Sequence, residues 1–144
     1  MTADEPNECQ IEAVGMDGAH LTCRIAWMTI QPHASYRMTA TIGESPAIEA
    51  QASDLFETLC LIRRQLEDQG VRLCCAGARR DVWPSGMQRD MGQGLVAYVL
   101  TLPRVTERPA TVRIFEPAAR DVVATVDEQR EFAQSWMAQG RGDH

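Results

Sequence analysis

Between Ser35 and Gly70 the hydrophobic period of the chain changes from two to about 3.6, and this change constrains the fold more than any other feature. Tyr36, Met38, Ala40 and Ile42 alternate with Ser35, Arg37, Thr39 and Thr41, the pattern of a strand with one apolar face. Leu55, Leu59, Ile62 and Leu66 then recur at spacings of four, three and four, with Phe56 and Cys60 widening the stripe. That is an amphipathic helix, expected over Ser53 to Gln69. Ser53 suits its N-cap, Asp54 and Glu57 suit its positive start, and Gly70 suits the left-handed stop. A strand face and a helix stripe so close in sequence have each other to bury.

The neighbouring segments extend the same plan. Cys9, Ile11 and Ala13 alternate with polar residues, Gly15-Met16-Asp17-Gly18 reads as a turn, and Leu21, Cys23, Ile25 and Trp27 share one face of a longer strand. Gln31-Pro32-His33 breaks that strand, and a short piece near Ile48 adds another. After the helix, Val71, Leu73 and Cys75 alternate into a Gly/Pro/Arg-rich loop from Gly77 to Gly94. Leu95 to Leu100 is apolar on both faces, as in a covered central strand, and Val112 and Ile114 mark one more. Thr125-Val126-Asp127-Glu128 has capping-box form and opens a helix that places Phe132 near Trp136 and ends by Gly140. The order predicts an α+β domain: an antiparallel sheet of about six strands, begun by an N-terminal meander, with a central and a C-terminal helix. At 144 residues the chain makes one domain, 1–144, with frayed ends.

Charge narrows the chemistry. All 14 bases are Arg; with no Lys there is no Schiff-base, phosphate-loop or general-base lysine. The net charge is −6, and it is unevenly placed: Met1 to Glu57 holds nine acids against Arg24 and Arg37, while the remainder is close to neutral. Such a half repels nucleic acid and anionic lipid and attracts a basic partner, although a solvated acidic face also serves solubility alone. The opening MTADEPNE lacks the basic-then-apolar form of a secretory signal, and the longest apolar run, Leu95 to Leu102, has a strand's length. With five cysteines in no regular framework, a reduced cytoplasmic protein is expected.

No residue set announces catalysis. His20, His33 and His144 have no ligand partner at helical or turn spacing, so no metal and no cofactor is expected. Cys74 and Cys75, adjacent on a strand, point to opposite faces and cannot clasp one ion. Cys9, Cys23 and Cys60 read as core, the Gly92-Gln93-Gly94 stretch lacks phosphate-loop spacing, and Ser85 lacks the G-x-S-x-G elbow. One dense feature remains: Ala76 to Gly92 packs three Arg, two Asp, a Trp and two Met into 17 residues. Arg79 and Arg80 are arranged to fork onto an anion, to pair with Asp81 and Asp90 as braces, or, with Trp83 and Arg89, to present an interface.

The same region carries a resemblance. Leu59-Cys60-Leu61-Ile62-Arg63, Gly70, Leu73 through Met87, Arg89-Asp90-Met91-Gly92 and Ala97-Tyr98 resemble a family of small bacterial proteins of polymorphic toxin systems, the immunity proteins of contact-dependent growth inhibition. The likeness covers the middle third, Leu55 to Tyr98; Ala76 stands where the family pattern carries Asn. The resemblance implies a non-catalytic cytoplasmic inhibitor whose partner is the C-terminal domain of a cognate toxin, in the leading reading a basic nuclease. It supplies no catalytic residues. On this reading the interface falls on the acids of the meander, Glu12, Asp17, Glu44 and Glu49, with Arg79, Arg80, Trp83 and Arg89 of the loop as second choice. No nucleic acid or membrane partner is expected, and the oligomeric state stays open. The rival expectation is a small-anion-binding module or enzyme built on Arg79, Arg80 and Asp81.

Overall fold

The computed structural model describes residues 7–30 and 35–141, with only the backbone of the last. The N-terminal meander is built as the alternation requires. β1 (Asn7–Val14), β2 (His20–Ile30), β3 (Ser35–Ile42) and β4 (Ile48–Ala52) pair antiparallel in sequence, with Ile11 opposite Cys23 and Cys23 opposite Ile42. α1 (Leu55–Glu67) returns along the apolar face of this sheet, and β5 (Arg72–Leu73) joins its far edge beside β1, giving the order β4-β3-β2-β1-β5. A second sheet takes β6 (Val82–Trp83), β7 (Val96–Val99) and β8 (Thr111–Arg113) in that order, with β7 in the centre. α2 (Gly86–Met91) links β6 to β7, and α3 (Val126–Arg141) closes the chain. The class is α+β as expected, with the strands divided five and three between two sheets among the described residues.

The division has a local cause. β5 pairs with β1 for only two residues, after which Cys75 starts a single 3-10 turn, Ala76–Ala78, and pairs instead with Pro117. Gly77 permits this turn to pass between α1 and β8: a Cβ there would stand 2.8 Å from Leu59 and 2.9 Å from Ile114. The stretch expected as loop, Gly77 to Gly94, thus holds β6 and α2 as well. α2 is opened by a capping box in which Ser85 and Gln88 satisfy each other's backbone N–H groups.

α1 is buried around most of its circumference. Leu55, Leu59, Ile62 and Leu66 meet Ile11, Cys23, Ile25 and Met38 in one core, which also takes Val82, Ala97, Ile114 and Val126 from the second sheet and α3. Its N-cap is Asp54 rather than Ser53, because Asp54 Oδ1 accepts the Glu57 N–H at 2.8 Å. Gly70 does stop it: φ is +77°, and the N–H groups of Gly70 and Val71 return to Glu67 and Leu66 as in a Schellman turn. Thr125 and Glu128 form the capping box of α3. The expected frayed ends, the Gln31-Pro32-His33 break and His144 lie outside the described residues.

Candidate functional site

The Arg/Trp loop turns most of its charge inward. Arg79 makes a two-pronged contact with Asp81, Nε to Oδ1 and Nη2 to Oδ2, both at 2.9 Å. Arg89 reaches back from α2 to the start of α1, with Nη1 3.1 Å from Asp54 Oδ2 and 3.6 Å from Glu57 Oε1. Its guanidinium also lies over the rings of Phe56 and Trp83, at 5.2 and 5.5 Å, while Trp83 meets Phe56 edge-on. Arg80 differs from both. It is exposed, lies over Phe132 at 5.4 Å, and takes part in none of the ion pairs among the described residues. Beside it opens a cleft of about 710 Å³ whose walls include Arg72, Asp121, Glu128 and Phe132. The Glu128 carboxyl is held below its usual range, chiefly by the Thr125 backbone N–H.

Beneath the loop lies a polar contact that periodicity alone did not single out. Arg63 of α1 is 2% exposed. Its Nη1 donates to Gly77 O at 3.2 Å and to Gln129 Oε1, and its Nη2 donates to Ala124 O at 2.8 Å. Gln129 of α3 is fully buried, with Nε2 between 2.8 and 2.9 Å from the carbonyl oxygens of Gly77, Arg79 and Val82. No carboxylate is among these partners, so a buried guanidinium is satisfied by backbone and amide oxygen. The signal was present: Arg63 follows Leu59 by four, and Gln129 precedes Ala133 by four, so both fall on apolar stripes. The arrangement fixes the 3-10 turn and β6 onto both helices; enclosed as it is, it offers nothing to a ligand.

The four acids of the expected interface do not form one patch. Glu12 and Glu49 stand on the outer face of the sheet, in β1 and β4. Glu12 Oε1 lies 2.6 Å from His20 Nε2, and Glu49 shares a row with Glu8 through Ala26 and Thr39. Arg24 and Arg37 lie exposed on the same face, so its charge is mixed. Asp17 and Glu44 occupy the β1–β2 and β3–β4 turns, which lie at one end of the sheet. There α1 also finishes: Glu67 and Gly70 border a hollow with Gly15, Met16 and Gly18, and Leu66 and Gln69 border another with Ser45 and Pro46. The structure therefore brings Asp17 and Glu44 to the same end as Glu67 of α1 and its C-cap, Asp68. Asp17, Glu44 and Asp68 are exposed and enter no ion pair among the described residues, while Glu67 accepts the Val126 N–H.

The thiols are chemically quiet. Burial pushes Cys75 up to about 12 and Cys23 and Cys60 up to about 11, and it raises Cys9 and Cys74 as well. All five are free; Cys75 faces the core, and Cys74 borders a hollow with Glu12, His20 and Arg120. Among the described residues no group of three or more His, Cys, Asp or Glu is placed to hold a metal ion. No helix of the described residues is long and apolar enough to cross a membrane. No protein-family model matches the chain, and no curated protein matches it in sequence.

Proposed function

We propose that the protein is a cytoplasmic immunity protein, which binds the C-terminal toxin domain delivered by a neighbouring cell and blocks its active site or substrate groove. One observation carries this reading: two of the loop's three arginines, Arg79 and Arg89, are spent on internal braces, while the exposed acids Asp17, Glu44 and Asp68 at the end of the meander enter no ion pair among the described residues. A nuclease toxin is basic where it holds the phosphate backbone, so it presents the complement of that acidic end. The likeness of Leu55 to Tyr98 to the immunity family supports the same class. A tight complex of this kind buries on the order of 1,600 Å². Searching the neighbouring reading frame for a toxin-like C-terminal domain and co-expressing that domain with this chain tests it. Rescue of growth together with a 1:1 complex is the expected result; toxicity unrelieved and no complex overturns it.

Arg80 supports a second reading, a module that binds a small anion. Arg79 and Asp81 are committed to each other, which leaves Arg80 at its cleft with no carboxylate partner among the described residues. A thermal-shift screen of nucleotides and phosphorylated metabolites tests it. A specific ligand raises Tm by mass action in the parent and not in Arg80→Ala.

A further inference from the structure

The inner face of the five-stranded sheet is not covered to its end. α1 stops at Glu67, and the turn at Gly70 carries the chain off into β5, so Leu21, Ile42 and Ile48 remain half-buried. With Leu66, Val71 and Pro46 they form an open groove of about 220 Å³, aliphatic along its floor, with Ser45 and Gln69 at its lips. Glu44 adjoins the Ser45 lip, Asp68 adjoins the Gln69 lip, and Asp17 lies between Met16 and Gly18, which border the neighbouring hollow with Val71. The carbonyl end of α1 points to the same place and adds the negative pole of its dipole. The base in this neighbourhood is Arg72, in the wall of the neighbouring hollow.

An apolar slot with an acid next to each lip in the chain selects among occupants. A hydrophobic side chain gains by filling the slot, an acidic neighbour to it is repelled, and a Lys or Arg neighbour is attracted. The sheet's outer face has no such preference, because Arg24 and Arg37 stand among its acids. The aromatic groove of Trp83, Tyr98 and Trp136 has the Arg104 guanidinium over Trp136 at 3.6 Å and that of Arg89 over Trp83 at 5.5 Å, so its nearby charge is positive and disfavours a basic partner. We infer that the slot between Pro46 and Val71 is the anchor point for a basic partner polypeptide, taking one large aliphatic or aromatic side chain while flanking Lys or Arg residues meet Glu44 and Asp68. This deepens the toxin-binding reading and rests on it for the partner's identity; the chemistry of the slot stands without it.

The test uses the full 15N-labelled chain and three peptides: acetyl-Arg-Leu-Arg-amide, acetyl-Arg-Ser-Arg-amide and acetyl-Glu-Leu-Glu-amide. The first is expected to give saturating shifts centred on Leu21, Ile42, Ile48 and Val71, with binding at least tenfold tighter than either control. Ser45→Trp, an indole laid over an exposed lip, is expected to abolish that response, and Glu44→Arg with Asp68→Arg to weaken it tenfold. All three positions are exposed, and an unchanged Tm shows that the fold is kept. No response, equal responses to the three peptides, or shifts centred elsewhere overturn the proposal. Growth rescue by a chain whose slot is silent overturns the slot alone; a filled slot without rescue overturns the toxin and leaves the docking site.

Discussion

Within two turns of α1 charge is handled in opposite ways. Arg63 is enclosed, its guanidinium N–H groups aimed at the oxygens of Gly77, Ala124 and Gln129. Asp68, just beyond the helix end, is exposed at the end of the sheet that also carries Asp17 and Glu44, with no ion pair among the described residues. A buried cation contributes little net stability when satisfied, yet is costly to disturb, because its partners are left dry and unpaired. Exposed acids cost little to change, and they shape the field that an approaching molecule meets. The first region therefore speaks about the fold, and the second about the field at the surface.

The largest expected effect breaks the inner side of that comparison. Arg63→Ala orphans the Ala124 carbonyl and the Gln129 Oε1, and it opens a cavity, so the loss in urea denaturation should be about 3–5 kcal/mol. Arg63→Lys should recover only part, since one ammonium lacks the planar fork that spans Gln129 and Ala124. A loss below about 1 kcal/mol for the alanine variant means that the contact does not tie the helices to the 3-10 turn.

The interior's acceptance of charge is specific to this cation, and pH tests that. Cys60 and Cys75 feel Arg63, which favours their thiolates, yet burial outweighs it and holds both high. With Cys23, burial pushes these thiols up to about 11 to 12 in the folded chain, from an ordinary value of 9.0. Above pH 9 the unfolded chain gives up protons that the folded chain keeps, so stability is intact below 9 and falls as pH rises toward 11 to 12. The decline should be about 1 kcal/mol for each thiol at pH 10, read from denaturation at a series of pH values. A flat profile over that range means that the thiols are solvated.

How much of this was legible depended on length. Period two over Tyr36–Ile42 and the stripe from Leu55 to Leu66 fixed the meander, α1 and their shared core, because each spans enough residues for its period to show. β6, with two residues, and α2, with six, are too short for any period, and their formation depends on the Ser85–Gln88 box and on pairing with β7. Charge in sequence showed an acidic half but not its geometry. Only the topology brings Asp17 and Glu44 to one end beside Asp68, and sends Glu49 to a face that also holds Arg24 and Arg37. The split of roles among the loop arginines was equally hidden, since Arg79 and Arg80 are neighbours and, among the described residues, only Arg79 of the two forms an ion pair.

Arg89 lies between the two regions, partly covered and paired with Asp54, so its removal should cost an intermediate amount. Arg89→Ala gives up a charge-assisted contact and two aromatic faces, about 1–2 kcal/mol together. The loss should be local, seen as faster amide exchange in Gln88–Met91 before the rest of the chain. Uniform acceleration across α1 and the five-stranded sheet means that α2 is part of the global unit.

The smallest effect on stability falls on the outer side of the comparison, where the effect on a partner is largest. Glu44→Arg with Asp68→Arg, and Glu8→Arg with Glu49→Arg, are matched pairs: each reversal adds two charges, so either pair takes the net charge from −6 to −2. All four acids are exposed and none enters an ion pair among the described residues, so both double variants should keep the parent's stability within about 0.5 kcal/mol. If net charge alone steers a basic partner, the two variants associate at the same reduced rate. If the acidic end is where the partner arrives, the first pair slows association by about tenfold and flattens its dependence on salt, while the second does markedly less. Dissociation rates separate steering from contact, because a long-range field acts on arrival, whereas a lost contact speeds departure. Equal slowing by the two pairs removes the special standing of the end of the sheet and returns the acids to a general role in solubility.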